Sequence, residues 1–352
     1  MGPRLLSSIM TTTTPEAVDA DAPFDLQPRA DIILRSSDNV DFYAVRLLLT
    51  VDPHSFFSNI LTDGQSDVTK NGLPVIGSLE EDSPTLRQLL LCCYPLTMTG
   101  GIKLSFQTID QVLALVQMAN KYCMDSVFDA MQPAMLESPA VMDKTPVLQL
   151  YALGTQYAWE AVSRKAARRY LDIPSTHLFE SSATSTLKNI NGSDLLRLQQ
   201  YHLRCRLGVQ RVLTARTKAP RPYTQDSLGV RDLTWLAQDR LWLPGQGHYN
   251  ENLVMIATGS LHSKFRPIHK WAVDYLDAME AALLECPSLS AAETKMETAI
   301  KKLGQEIQSC TVCRAYAGTD VRLFVRQVSG LVELTLSKVN GTFPFSYKSD
   351  KN

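Results

Sequence analysis

Along residues 29–49, "RADIILRSSDNVDFYAVRLLL", the apolar and polar positions change rhythm three times. Ile32, Ile33 and Leu34 form a short apolar run, and Ser36-Ser37-Asp38-Asn39 is turn chemistry. Val40, Phe42 and Ala44 then alternate with Asp41, Tyr43 and Val45, the period of a strand. The pattern predicts a β-hairpin. "RLLLTV" follows as a short helix stopped at Asp52-Pro53, and "SFFSNIL" as a second, capped by Ser55. A polar loop, "TDGQSDVTKNG", leads to a third strand, "LPVIGSL". In "DSPTLRQLLLCCYP", Asp82 or Ser83 caps a helix, Pro84 sits at its first position and Pro95 ends it. Leu86, Leu89, Leu90 and Cys93 share one face of that helix. "TMTGGIKLS" reads as a loop with one edge strand. Val112, Leu115, Val116, Ala119, Tyr122 and Cys123 stripe the helical stretch that follows, which Asp125 is expected to divide in two.

The Pro-punctuated "ESPAVMDKTP" marks a boundary near residue 137. Beyond it the pattern is almost wholly helical, through "VLQLYALGTQYAWEAVSRKAARRYLDIP" and "NGSDLLRLQQYHLRCRLGVQRVLTA". Residues 218–253 read as irregular, and two more helices are expected over about 267–286 and 290–335. Residues 1–25, rich in Thr, Ala, Asp and Pro, carry almost no apolar periodicity and read as a disordered tail, with order beginning near Asp31. The expected division is a tail over 1–25, an α+β domain over 26–136 and an all-α domain over 137–352.

Composition adds bounds. A chain of 352 residues, 45% apolar and 20% charged, is an ordinary globular protein of about two domains. A formal net charge of −1 supplies no bulk field for nucleic acid or an anionic membrane. No apolar run approaches the ~20 residues that span a bilayer. The first residues hold too short an apolar stretch for a secretory signal. A cytoplasmic or nuclear location is therefore expected, with the seven cysteines mostly small buried apolar groups.

Candidate chemistry is sparse. Cys310-Thr311-Val312-Cys313 has the spacing of a zinc or thiol-exchange pair, but zinc needs two further ligands, and His262, His269 and Cys286 stand at irregular spacing. Packing of the two cysteines into a helical core is the expectation. There is no phosphate-binding loop, nucleophile elbow, zinc-protease helix or dinucleotide fingerprint. No catalytic residue, metal or cofactor is expected. From Leu195 to Gln225 seven basic residues occur without an acidic one, among them Arg197, Arg204, Arg206 and Arg211. That run reads as a solvated helix face or as a patch for an anionic partner, an acidic protein or a nucleic-acid backbone.

The order hairpin, two short helices, strand, helix, loop, helix pair, in these words, resembles the BTB/POZ domain. In particular it resembles the large BTB set of mushroom-forming fungi. "ADIILRSSDNVDF", "SFFSNIL", "GLPVIGSLEEDSPTLRQLLLCCYP" and "ALVQMANKYCMDSVFDAM" carry the likeness, and "VLQLYALGTQYAWEAVSRKAARRYL" is similar to the helical extension of that set. The resemblance covers roughly residues 29–175. It implies a non-catalytic protein–protein interaction module, acting on a second copy of the chain or on another protein. It also implies that Asp31 and Arg46 line a charged pocket as a partly desolvated ion pair, while on the residues alone an ordinary solvated pair stays equally open. Val45 stands where the family usually has His. A substrate adaptor of a cullin-type ubiquitin ligase, with the helical region holding the substrate, is the runner-up reading; Gln65-Ser66-Asp67 stands where such adaptors carry an apolar-x-Glu motif, so weak or no binding to a cullin scaffold is expected. Residues 1–25 show no helix of the kind that dimeric BTB domains add.

Overall fold

The computed structural model describes residues 17–63, 68–77, 79–174, 190–213, 253–258, 264–269, 278, 280–290, 293, 297–298, 301, 326 and 329–345. They fall into two compact units, residues 1–145 and 146–352. The division comes later than residue 137 because that Pro-rich stretch is itself helical, as described below.

Order in the first unit begins before Asp31, which corrects the expected tail. Val18–Asp19 is a strand, β1, pairing in parallel with the outer hairpin strand. Val18 N–H donates to the Asn39 carbonyl (3.0 Å) and Ala20 N–H to that of Asp41 (2.9 Å), and the Phe24 carbonyl accepts from Tyr43 N–H (3.0 Å). Phe24 is fully buried, its ring edge-on to Tyr94 at 5.2 Å, with the Arg87 guanidinium over it at 5.6 Å. One aromatic plug and a few backbone bonds order a stretch whose composition shows no periodicity.

The hairpin forms as its pattern predicts. β2 (Ile32–Arg35) and β3 (Val40–Ala44) are antiparallel, with Ile32 opposite Ala44 and Arg35 opposite Asp41. Asn39 takes a φ of 61° in the turn, a conformation Asn tolerates, and Ser36 Oγ accepts from Val40 N–H (3.0 Å). Helices α1 (Arg46–Leu49) and α2 (Phe56–Asp63) follow, and Ser55 Oγ caps α2 by accepting from Ser58 N–H (3.1 Å). β4 (Thr69–Lys70) and β5 (Leu73–Ile76) form a second hairpin. Its two turn residues, Asn71 (φ 54°) and Gly72 (φ 75°), are both left-handed, the geometry that matches strand twist. β5 returns parallel to β2 (Ile33 opposite Val75), so the mixed five-stranded sheet runs β1-β3-β2-β5-β4. Ile32, Ile33 and Leu34 are all fully buried, so the central strand is enclosed on both faces.

Helices complete an α+β unit. α3 (Ser83–Cys93) starts where Asp82 accepts from Thr85 N–H (3.0 Å); Ser83 takes its first position and Pro84 its second. Residues 97–101 form turns and 102–105 take no regular structure, so the expected edge strand is absent there. α4 (Ile109–Lys121) opens with a reciprocal Thr108–Gln111 capping box. The break before α5 (Asp125–Leu136) falls at Cys123, which has a φ of 54°, while Asp125 is the first residue of α5. α3, α4 and α5 pack on one another. α6 (Pro139–Lys144) occupies the stretch read as a boundary: Ser138 accepts from Val141 N–H (3.2 Å) and donates to the Phe106 carbonyl (2.7 Å).

In the second unit, α7 (Val147–Gln156) and α8 (Glu160–Tyr170) form a close helical hairpin. A Cβ on Gly154 would lie 2.5 Å from Ser163 Oγ and 2.8 Å from its backbone nitrogen, so glycine is what lets the helices meet. α9 (Gly192–Leu213) packs against the helix over residues 329–342, with Tyr201 donating to Asn340 Oδ1 (3.2 Å) and ringed by Phe343 and Phe345. The all-α expectation fails at β6 (Leu253–Thr258) and β7 (Lys264–His269), an antiparallel pair. β7 also removes the helix expected from residue 267, although 280–285 are helical. Among the described residues no helix is long and apolar enough to cross a membrane.

Candidate functional site

Asp31, Val45 and Arg46 meet where the hairpin enters α1, but not as the expected ion pair. Asp31 Oδ1 accepts from the backbone N–H of Arg46 (2.7 Å), so the carboxylate caps α1. The Arg46 guanidinium turns to the Leu61 carbonyl (3.1 Å) in the last turn of α2, where a cation is favoured. Val45 N–H donates to the Tyr94 hydroxyl (2.6 Å), whose pKa burial pushes up to about 12. The pair's physical role is thus to lock both short helices to the sheet. The helix they lock presents Leu47 to solvent at 74% exposure, and Val51, just beyond it, is 65% exposed. Both are large apolar side chains left open to water on and just after an anchored helix.

The enclosed ion cluster of the first unit lies elsewhere. Asp41 is 0% exposed, although alternation along β3 puts it at a polar position. Its carboxylate accepts from Arg35 Nε (2.6 Å) and Nη2 (2.9 Å) and from Lys70 Nζ (2.7 Å), and Lys70 also reaches Asp19 (2.6 Å). Asn71 donates to the Tyr43 hydroxyl (2.9 Å), which donates to Asp19 (3.3 Å). Burial pushes the Asp41 carboxyl up, but the bonds from Arg35 and Lys70 outweigh it and hold it below the usual carboxylate range. Bonds to Asp19 and then Asp41 hold the Lys70 ammonium above its ordinary value. Both oxygens of Asp41 are engaged by cations from neighbouring strands, so the cluster fastens β1, β2, β3 and β4. The sequence reading missed this cluster; two signals in the chain mark it, the cross-strand pairing of Arg35 with Asp41 and Asn71-Gly72 as a hairpin turn placing Lys70 in a strand.

A second cluster joins the chain before α3 to the end of α4. Lys121 donates to Glu80 (2.9 Å) and Glu81 (2.8 Å), and the Tyr122 hydroxyl donates to Glu81. Burial pushes the thiol of Cys93 up to about 12 and that of Cys205 up to about 11, so neither is a nucleophile at neutral pH.

The structure does not assemble the four arginines into one patch. Arg197 is 9% exposed, bound to Asp194 (3.3 Å) and the Phe345 carbonyl (3.0 Å). Arg204, Arg206 and Arg211 are exposed, with Arg204 held over the Phe343 ring at 5.1 Å. A 180 Å³ polar recess beside Arg197 is lined by Gly154, Thr155, Ser163 and Asp194, and the arginine in its wall is already paired. Gln65-Ser66-Asp67, Cys310, Cys313 and His262 lie outside the described residues, as does the His269 side chain. Among the described residues no group of three or more His, Cys, Asp or Glu side chains could hold a metal.

No family model, no curated protein and no solved structure matches this chain.

Proposed function

We propose that the first unit is a BTB/POZ-like protein-interaction module, acting by self-association or by holding a protein partner and performing no chemistry of its own. The observation that carries this reading is the exposure of Leu47 and Val51 on and just after a helix locked in place by Asp31, Arg46 and Tyr94. The order of elements supports it too: hairpin, two short helices, a strand returning parallel to β2, then a helix pair. An anchored backbone keeps the cost of ordering low when a partner covers the apolar side chains. The ionic clusters fit the same reading, since their charges are spent on each other.

Light scattering on the full chain, with co-purification from the native cell, tests the proposal. The chain is expected to run as a dimer or to retain a protein partner. Leu47→Asp with Val51→Asp is expected to abolish that association and leave the circular dichroism spectrum unchanged, since both side chains face water. A strict monomer without a partner, or association indifferent to the double substitution, overturns it.

A further inference from the structure

α9 turns two different faces to its surroundings. Leu198, Tyr201, Cys205 and Val209 are buried, and Gly208 lets Thr335 approach, so one side of the helix is already sealed into the second unit. On the other side Leu196, Leu203 and Leu207 remain 60%, 50% and 42% exposed. They are not spare core, because the core-facing side is already filled. With exposed Gln200 they recur at steps of four, three and four residues, the spacing of a coiled-coil seam. The seam runs about 17 Å along the helix.

The flanks of this seam carry one sign of charge. With Leu203 at position d and Leu207 at a, Arg204 and Arg211 take e and Arg206 takes g. Arg197 also falls at e, but its guanidinium is bound inside the unit. α9 has no acidic residue after Asp194. A second copy laid on this face would set arginine against arginine in either orientation, which disfavours self-pairing. The Phe343 ring beneath Arg204 holds that side chain in place, lowering the entropy lost when a carboxylate meets it.

We infer that this face docks an acidic amphipathic helix of a partner protein, leucine seam against leucine seam, with carboxylates on Arg204, Arg206 and Arg211. The site belongs to the second unit and stands independently of the function proposed for the first. The full chain, titrated with a fluorescent synthetic peptide of leucine-seam heptads carrying Glu at both flanks, is expected to bind it. The same peptide with Lys at the flanks is expected not to bind. Leu203→Gln with Leu207→Gln should weaken binding about 100-fold, the loss of two buried leucine contacts. The triple variant Arg204→Glu, Arg206→Glu, Arg211→Glu should reverse the preference and bind the Lys peptide, a gain that an unfolded chain could not produce. Binding of neither peptide, equal binding of both, or a preference that survives charge reversal overturns the inference. So does binding to phosphatidylserine-containing vesicles with none to the Glu peptide, which would make this a membrane surface.

Discussion

Asp41 in the first unit and His202 in the second are both enclosed, yet their surroundings treat them in opposite ways. Asp41 receives bonds from Arg35 and Lys70 on neighbouring strands. His202, 3% exposed and edge-on to Tyr170, has no hydrogen-bond partner at Nε2. Among the described residues, the buried side-chain atoms without such a partner are Tyr151 Oη, Arg168 Nη1 and His202 Nε2, all in the second unit. A sheet brings side chains from distant segments into register, so a buried charge there can be met from several strands. Helices packed side by side offer fewer such crossings: Arg197 and Tyr201 find partners, but His202 Nε2 goes unmet. The first unit should therefore lose stability when a partner is deleted, and the second when a proton is added.

All four tryptophans lie in the second unit, so tryptophan fluorescence follows that unit while circular dichroism follows both. The largest effect is expected from Asp41→Ala, which leaves two cations around an enclosed site. Breaking a buried pair costs about 3 to 5 kcal/mol, and the lower end applies because Arg35 and Lys70 keep 27% and 29% exposure. In urea the loss should appear in the circular dichroism transition with the tryptophan transition unmoved. An equal shift in both would break the comparison.

Acid gives the next effect. Burial first, and then the charge of Arg206, lower the His202 pKa from 6.5 to about 4. Its unfolded form binds a proton that the folded form refuses. The stability it contributes is therefore whole above pH 6.5 and lost as pH falls toward 4. Between neutral pH and about 5 the second unit should lose about 2 kcal/mol, seen by tryptophan fluorescence and removed by His202→Phe. Asp41, held low, gives up its contribution only as pH falls below its ordinary 3.8, so the second unit should loosen before the first. The reverse order would contradict the contrast. Asp31→Ala sharpens it from the other side. Losing an exposed cap should cost about 1 kcal/mol, well short of the loss at Asp41.

Much of the first unit was legible because its signals are local. The β2–β3 hairpin follows from alternation around a polar tetrapeptide, and α3 from Asp82, Pro84 and Pro95. β1 and β4 were not, since two-residue strands are too short to show a period. Asn71-Gly72 was a usable sign of β4 that the polar-loop reading passed over. Ser138-Pro139 is a helix start, and proline suits a helix start and a domain boundary alike, so the residues alone do not separate the two. In the second unit, Leu253–Thr258 is an apolar run too short for periodicity to separate strand from helix. The site was half legible: Asp31 and Arg46 do meet, but which atoms meet depends on the path of α1. The enclosure of Asp41 depends on Lys70, which lies far away along the chain.

The short strap ahead of β2 has a practical bearing. A fragment cut at residue 26, where hydropathy alone would place the domain's start, would leave behind the ring that fills the slot between Phe42 and Tyr94. It would also strip β3 of its neighbour, turning an inner ladder into a bare margin ready to template another chain. Recombinant work on the first unit alone should retain Val18 onward, or meet precipitation that says nothing about the intact molecule.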